Sequence, residues 1–249
     1  MRLLLAAITC EKGDLAGNLA RHLDVVEEAA EAGCQLAVLP EMSLTGSVDQ
    51  VEHPEHALAL DDLAITELAA AAQAAGVEAV VGIGERRGDD LYISQLHLAH
   101  GTIAGVQRKR RLGEGEEGFA TSQHTQRFVS SGVPFGVVIC AESHVDRTWA
   151  ASTSEEERLV CFCSAPGLHE RCTSEEGWRR GFDWWGTAGL ADARHQAERL
   201  GVWVAMATQA GSTVDEDFPG VAALIDPRGE IVGRLPDWRP GALVVDAAV

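Results

Sequence analysis

Leu36-Ala37-Val38-Leu39-Pro40-Glu41 is a four-residue apolar run that stops at a proline and delivers a carboxylate. An unbroken apolar run of this length, with no polar alternation, reads as a strand buried on both faces. Upstream, residues 3–9 read the same way. Between them, residues 15–32 place Leu15, Leu19, Leu23, Val26 and Ala30 at helical spacing, and Gly33 closes that helix. Downstream, residues 61–75 repeat the helical pattern up to Gly76, and residues 77–84 supply a further buried strand. Strand, helix, strand, helix, strand predicts an α/β chain.

Further on, residues 91–98 and 102–107 flank the turn His100-Gly101 as in an antiparallel hairpin. Phe135-Gly136-Val137-Val138-Ile139 is the most apolar strand of the middle region, and Cys140 follows it directly. Strands are expected over 158–164, 202–207 and 221–225, with a helix over 189–200 that ends at Gly201. Asp226-Pro227-Arg228-Gly229 has proline second and glycine fourth, so residues 220–225 and 230–235 should pair as a hairpin. No linker or repeat divides the chain, and residues 1–249 read as a single α/β domain of mixed sheets covered by helices.

With 249 residues and 46% hydrophobic content the chain has ample core. A formal charge of -18, from 38 acidic against 20 basic residues, repels phosphate backbones and excludes nucleic acid as a partner. The apolar N-terminal run is interrupted at once by Glu11, Lys12 and Asp14, so a buried strand is expected there rather than a signal peptide, and no run is long enough for a membrane span. Six cysteines in or beside apolar segments of so large a chain point to reduced thiols and a cytoplasmic location.

Three reactive groups stand at equivalent places: Glu41 and Cys140 each just beyond a buried strand, and Lys109 just beyond a hairpin strand. Sites in α/β sheets gather at the carboxyl ends of strands. The trio is chemically coherent. A thiol attacks a carbonyl or nitrile carbon only as thiolate, so it needs a base and a nearby cation. Glu41 can take the proton, and Lys109 can stabilise the thiolate and then the oxyanion, with the backbone N–H after Cys140 as a second donor.

The segments Gly13-Asp14-Leu15 with Asn18-Leu19, Leu39-Pro40-Glu41 with Leu44-Thr45-Gly46, Arg108-Lys109-Arg110-Arg111-Leu112, Gly136 to Glu142, and Ile225 to Gly229 span nearly the whole chain. In this order they resemble the successive signatures of the nitrilase superfamily, the carbon-nitrogen hydrolases. The resemblance implies a four-layer α-β-β-α sandwich, a homodimer or larger homo-oligomer, no cofactor, no catalytic metal, and a Glu-Lys-Cys triad of Glu41, Lys109 and Cys140. It also implies a second glutamate shortly after the lysine, for which Glu117 is the better match and Glu116 the fallback. The activity implied is hydrolysis of an amide or N-carbamoyl bond in a small amide-like molecule through a Cys140 thioester. The alternatives are a nitrilase or acyl transferase on the same fold, or a scaffold protein with a dead site.

Departures concern the substrate. Cys140 is followed by Ala141-Glu142-Ser143-His144, and true nitrilases of the family tend to have Trp-Glu there, so amide or ureido hydrolysis leads. Glu142, Trp184 and Trp185 are the expected substrate-binding residues, although the aromatic segment Trp178 to Trp185 suits a pocket roof, an oligomer contact or core equally. Cys161, Cys163, His169 and Cys172 lie within twelve residues, but they lack the paired spacing of a zinc site, and no metal is expected. Gly82-Ile83-Gly84 precedes neither a third glycine nor a helix, which argues against a dinucleotide fold.

Overall fold

The computed structural model describes every residue except 154–157 and 168–170. Strands form two six-stranded sheets. The first contains, in spatial order, β14 (Gly241–Asp246), β1 (Arg2–Ala7), β2 (Leu36–Val38), β3 (Glu78–Arg87), β4 (Asp90–Ala99) and β5 (Thr102–Arg108). The second contains β13 (Ile231–Arg234), β12 (Ala222–Ile225), β9 (Trp203–Thr208), β8 (Leu159–Ser164), β7 (Val133–Ile139) and β6 (Phe128–Ser130). A short pair, β10 (Gly211–Ser212) with β11 (Asp217–Phe218), stands apart. Helices α1 (Leu15–Glu31) and α2 (Leu63–Ala75) cover the first sheet, and α3 (Asp146–Ser152), α4 (Glu175–Trp184) and α5 (Ala191–Leu200) cover the second. The result is the expected four-layer α-β-β-α sandwich.

Side-chain alternation explains the doubly apolar strands. Leu3, Leu5 and Ala7 of β1 face the opposite sheet, where they meet residues such as Val137 and Ala205, whereas Leu4 and Ala6 face the helices. Strand β7 divides likewise: Phe135, Val137 and Ile139 enter the layer between the sheets, and Val138 meets Trp149 of α3 and Phe162 of β8. In each sheet the central strands are parallel, β1-β2-β3 in one and β7-β8-β9 in the other, so their carboxyl ends share one edge of the layer.

Local signals acted where they were expected. The Asp62 carboxylate accepts from the Ala64 N–H, so α2 starts at Leu63, and Gly76 ends it in the left-handed conformation. His100 and Gly101 both have positive φ, the two-residue turn that suits the twist of β4 and β5. The hairpin of β12 and β13 forms with a bulge beside Ile225. Strand β14 is an addition to the expected elements. It pairs antiparallel with β1 from Arg2↔Asp246 to Ala7↔Gly241, joining the two ends of the chain at one sheet edge. Among the described residues no helix is long and apolar enough to cross a membrane.

Candidate active site

Glu41, Lys109 and Cys140 meet between the two sheets. Glu41 follows β2, Lys109 follows β5 and Cys140 follows β7. Alternation selects the lysine from its basic run. Arg108 turns to one side and pairs with buried Glu85, while the Lys109 N–H still bonds the Ile93 carbonyl (2.8 Å), so its side chain enters the opposite face. The Glu41 turn sits directly against β3, where a Cβ on Gly82 would fall 2.3 Å from the Pro40 carbonyl and from the Met42 nitrogen. Only a glycine fits under that turn.

Lys109 Nζ donates to Glu41 Oε1 at 2.6 Å and to Glu116 Oε1 at 2.6 Å, and its side chain is fully buried. Glu41 Oε2 accepts from the Ala165 N–H at 3.0 Å, and the Gln209 amide donates to the Glu41 carbonyl at 3.1 Å. Around the Cys140 thiol stand Glu41, Lys109, Ser164 and the Ala165 N–H. Cys140 has φ of 42°, a left-handed conformation that costs a non-glycine residue energy and presents the side chain at a sharp strand-to-turn corner.

Burial, reinforced by the Glu41 charge, pushes the Cys140 thiol up to about 12 against the pull of Lys109. Glu41 is also raised, by burial first, against Lys109. Burial lowers Lys109, but Glu41, Cys140 and Glu116 together outweigh it and keep the ammonium charged. Burial and the two carboxylates around one ammonium therefore favour a resting neutral thiol.

Glu41, Glu116 and Cys140 line a cavity of about 680 Å³ whose wall includes Met42, Val48, Phe119, Ala141 and Pro166, with Lys109 buried behind them. Glu116, the fallback, occupies the position expected of Glu117. The Gly113 N–H donates to Glu116 Oε2 at 2.6 Å and holds that carboxylate inward, whereas Glu117 is exposed and accepts from Gly115 at 3.2 Å. Glu142 is not in the cavity wall. It is fully buried and takes Arg110 through the backbone N–H (2.6 Å), Nε (3.0 Å) and Nη2 (2.7 Å), and the Ile139 N–H (3.0 Å), so its oxygens are committed to the Cys140 turn. Trp184 and Trp185 lie outside the cavity too. Trp185 packs in the core beneath α4 and α5, and Trp184 is about half exposed. Cys161 and Cys163 share the inner face of β8 within the layer between the sheets, and His169 falls outside the described residues. Ser164, Ala165 and Gln209 were not anticipated. Ser164 and Thr208 end β8 and β9 on the same sheet edge as Cys140, and that placement was the available signal.

The carbon-nitrogen hydrolase family model matches residues 4–249. The chain belongs to the carbon-nitrogen hydrolase family, the nitrilase superfamily. Curated relatives are distant: an aliphatic nitrilase of Rhodococcus rhodochrous is 28% identical over 173 residues, covering 62% of this chain and 47% of the relative. A glutamine-dependent NAD(+) synthetase of Xylella fastidiosa is 26% identical over 256 residues, covering 99% of this chain and 44% of the relative. The chain thus spans under half the length of these relatives. Among solved structures, an amidase from Nesterenkonia sp. superposes with a TM-score of 0.83 at 22% identity, covering 99% of this chain and 90% of that one. Another structure of a Nesterenkonia amidase, at TM-score 0.82, 22% identity and the same coverage, carries the acetamide moiety of fluoroacetamide added covalently at its active-site cysteine. At such identity these neighbours share the fold.

Proposed function

We propose that the chain hydrolyses the carbon-nitrogen bond of a small amide, with Cys140 as nucleophile, Glu41 as base, Lys109 as oxyanion donor and Glu116 as the acid that holds Lys109. The observation that carries this reading is the single buried ammonium wedged at 2.6 Å between two carboxylates beside a thiol on a strained corner. The amide carbonyl carbon approaches Cys140 Sγ. As the carbon-sulfur bond forms, the thiol proton passes to Glu41, and the carbonyl electrons collect on an oxyanion facing Lys109 Nζ and the Ala141 N–H. Glu41 returns the proton to the leaving nitrogen, the carbon-nitrogen bond breaks and the amine departs, leaving a thioester. Glu41 then deprotonates water, which attacks the thioester and restores the thiol.

Ala141 lines the cavity directly after the nucleophile and leaves that wall small. The acetamide adduct on the cysteine of a neighbouring amidase supports the choice of a short-chain amide. Ammonia release measured across short aliphatic amides, N-carbamoyl compounds and nitriles tests the assignment. The short amides should turn over fastest, and a faster nitrile would replace this reading with a nitrilase.

A further inference from the structure

Beside the Cys140 cavity a second, smaller one of about 290 Å³ is bounded by Lys12, Asp49, Glu52, His53, His56 and Asp215. Lys12, Asp49 and Glu52 belong to both walls. Its edge carries His53-Pro54-Glu55-His56, and Pro54–His56 form a single 3₁₀ turn with proline at its first position. In such a turn residues three apart eclipse one another. The two imidazoles accordingly stack, with centroids 5.1 Å apart and planes 19° apart. His53 Nδ1 lies 3.1 Å from Glu55 Oε1, and one ligand-type atom from each of His53, Glu55 and His56 lies within 4.8 Å of the other two.

We propose that His53, Glu55 and His56 bind a divalent transition metal of the zinc or cobalt class at the edge of the smaller cavity that adjoins the Cys140 cavity. Two imidazoles and one carboxylate suit such borderline ions rather than magnesium or calcium, which prefer oxygen alone. Closing the observed spacing to bonds of about 2.0–2.2 Å turns the two imidazoles out of their stack, so that their in-plane nitrogens converge on one point. The turn is held in place independently of any ion. Arg86 donates to the Pro54 carbonyl, Leu58 bridges Glu85 of β3, and the His56 ring lies on bare Gly13, where a Cβ would come within 2.5 Å of the ring. The surrounding field favours a dication: Asp49, Glu52 and Asp215 line the same cavity, and its one lysine, Lys12, is already engaged by Asp215 (2.7 Å) and Glu216 (3.0 Å). Three ligands on one exposed turn leave the remaining coordination positions for water or for a group entering the cavity mouth.

Titrating the intact protein with Co²⁺ and following its visible absorption tests the site, because nitrogen and oxygen ligands give d–d bands without the near-ultraviolet thiolate charge-transfer band of a cysteine site. One equivalent should bind with d–d bands alone, and His53→Ala, His56→Ala and the double variant should each weaken binding at least about tenfold. His53 is exposed and His56 half-buried, so circular dichroism should show each variant folded. Absence of binding, binding indifferent to both histidines, or a thiolate charge-transfer band would each overturn the proposal.

Discussion

The Lys109 ammonium lies 2.6 Å from Glu116, while Glu117 turns outward to Gly115. Adjacent carboxylates therefore differ in kind, and Glu116→Gln should lower kcat by about 10²-fold or more, as expected for a charge that holds a polarising group. Glu117→Gln should stay within about threefold of the parent. Steady-state ammonia release from a short amide checks this, and equal effects of the two changes would contradict it.

The Arg110–Glu142 pair locks the Cys140 turn rather than touching substrate. Arg110 also donates to Thr125 (3.1 Å), Ser152 (3.0 Å) and the Val137 carbonyl (3.1 Å), so it ties the Thr125 loop and the end of α3 to β7. Arg110→Ala or Glu142→Ala should destabilise by about 3–5 kcal/mol, because each leaves a buried charge without its partner. Exposed Arg111 serves as the control, and Arg111→Ala should fall within about 0.5 kcal/mol in denaturant unfolding. Equal small effects would return the whole basic run to the surface.

Gly82→Ala should disturb the Glu41 turn from the opposite strand. Its Cβ meets backbone atoms, which have little freedom to retreat, so a loss of about 1–3 kcal/mol is expected. Turnover should fall with it, since the displaced residues flank Glu41. Unchanged melting and kinetics would show that the turn has room the contact distances deny.

Alkaline pH should weaken the fold. Burial raises the thiols of Cys10, Cys161 and Cys163, and burial with Glu41 raises Cys140 to about 12, from an ordinary value of 9.0. Above that ordinary value the unfolded chain has lost these protons while the folded chain keeps them, so stability is fully present below it and falls as pH rises. Denaturant midpoints at about pH 8 and about pH 10.5 should show the drop, and Cys161→Ala should shrink it. A flat profile would mean the thiols ionise equally in both states.

What was legible in the sequence follows from where the free energy is concentrated. Glu41 and Cys140 stood out because each follows a run whose apolarity is dictated by burial on both faces, and Lys109 because it follows a hairpin strand that is only partly buried. The same runs gave mixed sheets covered by helices, whereas the four-layer order came from the resemblance to the family. Glu116 against Glu117 was not decidable from spacing, since the inward turn depends on the Gly113 N–H finding a carboxylate. Glu142 looked like a pocket residue because it neighbours Cys140 in the chain, but the 3₁₀ turn at Cys140–His144 folds it back under β7. Trp184 and Trp185 are adjacent, and helical geometry sends one inward and one out. Strand β14 pairs with β1 across the full length of the chain, and its residues are half-buried, so no local pattern announced it.

In the proposed reaction an acyl group passes through the Cys140 sulfur. Intact-protein mass spectrometry after rapid mixing of Glu116→Gln protein with a short amide, followed by peptide mapping, tests it most directly. A mass increase equal to the acyl group is expected on the peptide carrying Cys140, with no adduct or ammonia release from Cys140→Ala with its fold intact. An adduct on another cysteine, or ammonia release retained by Cys140→Ala, would contradict it.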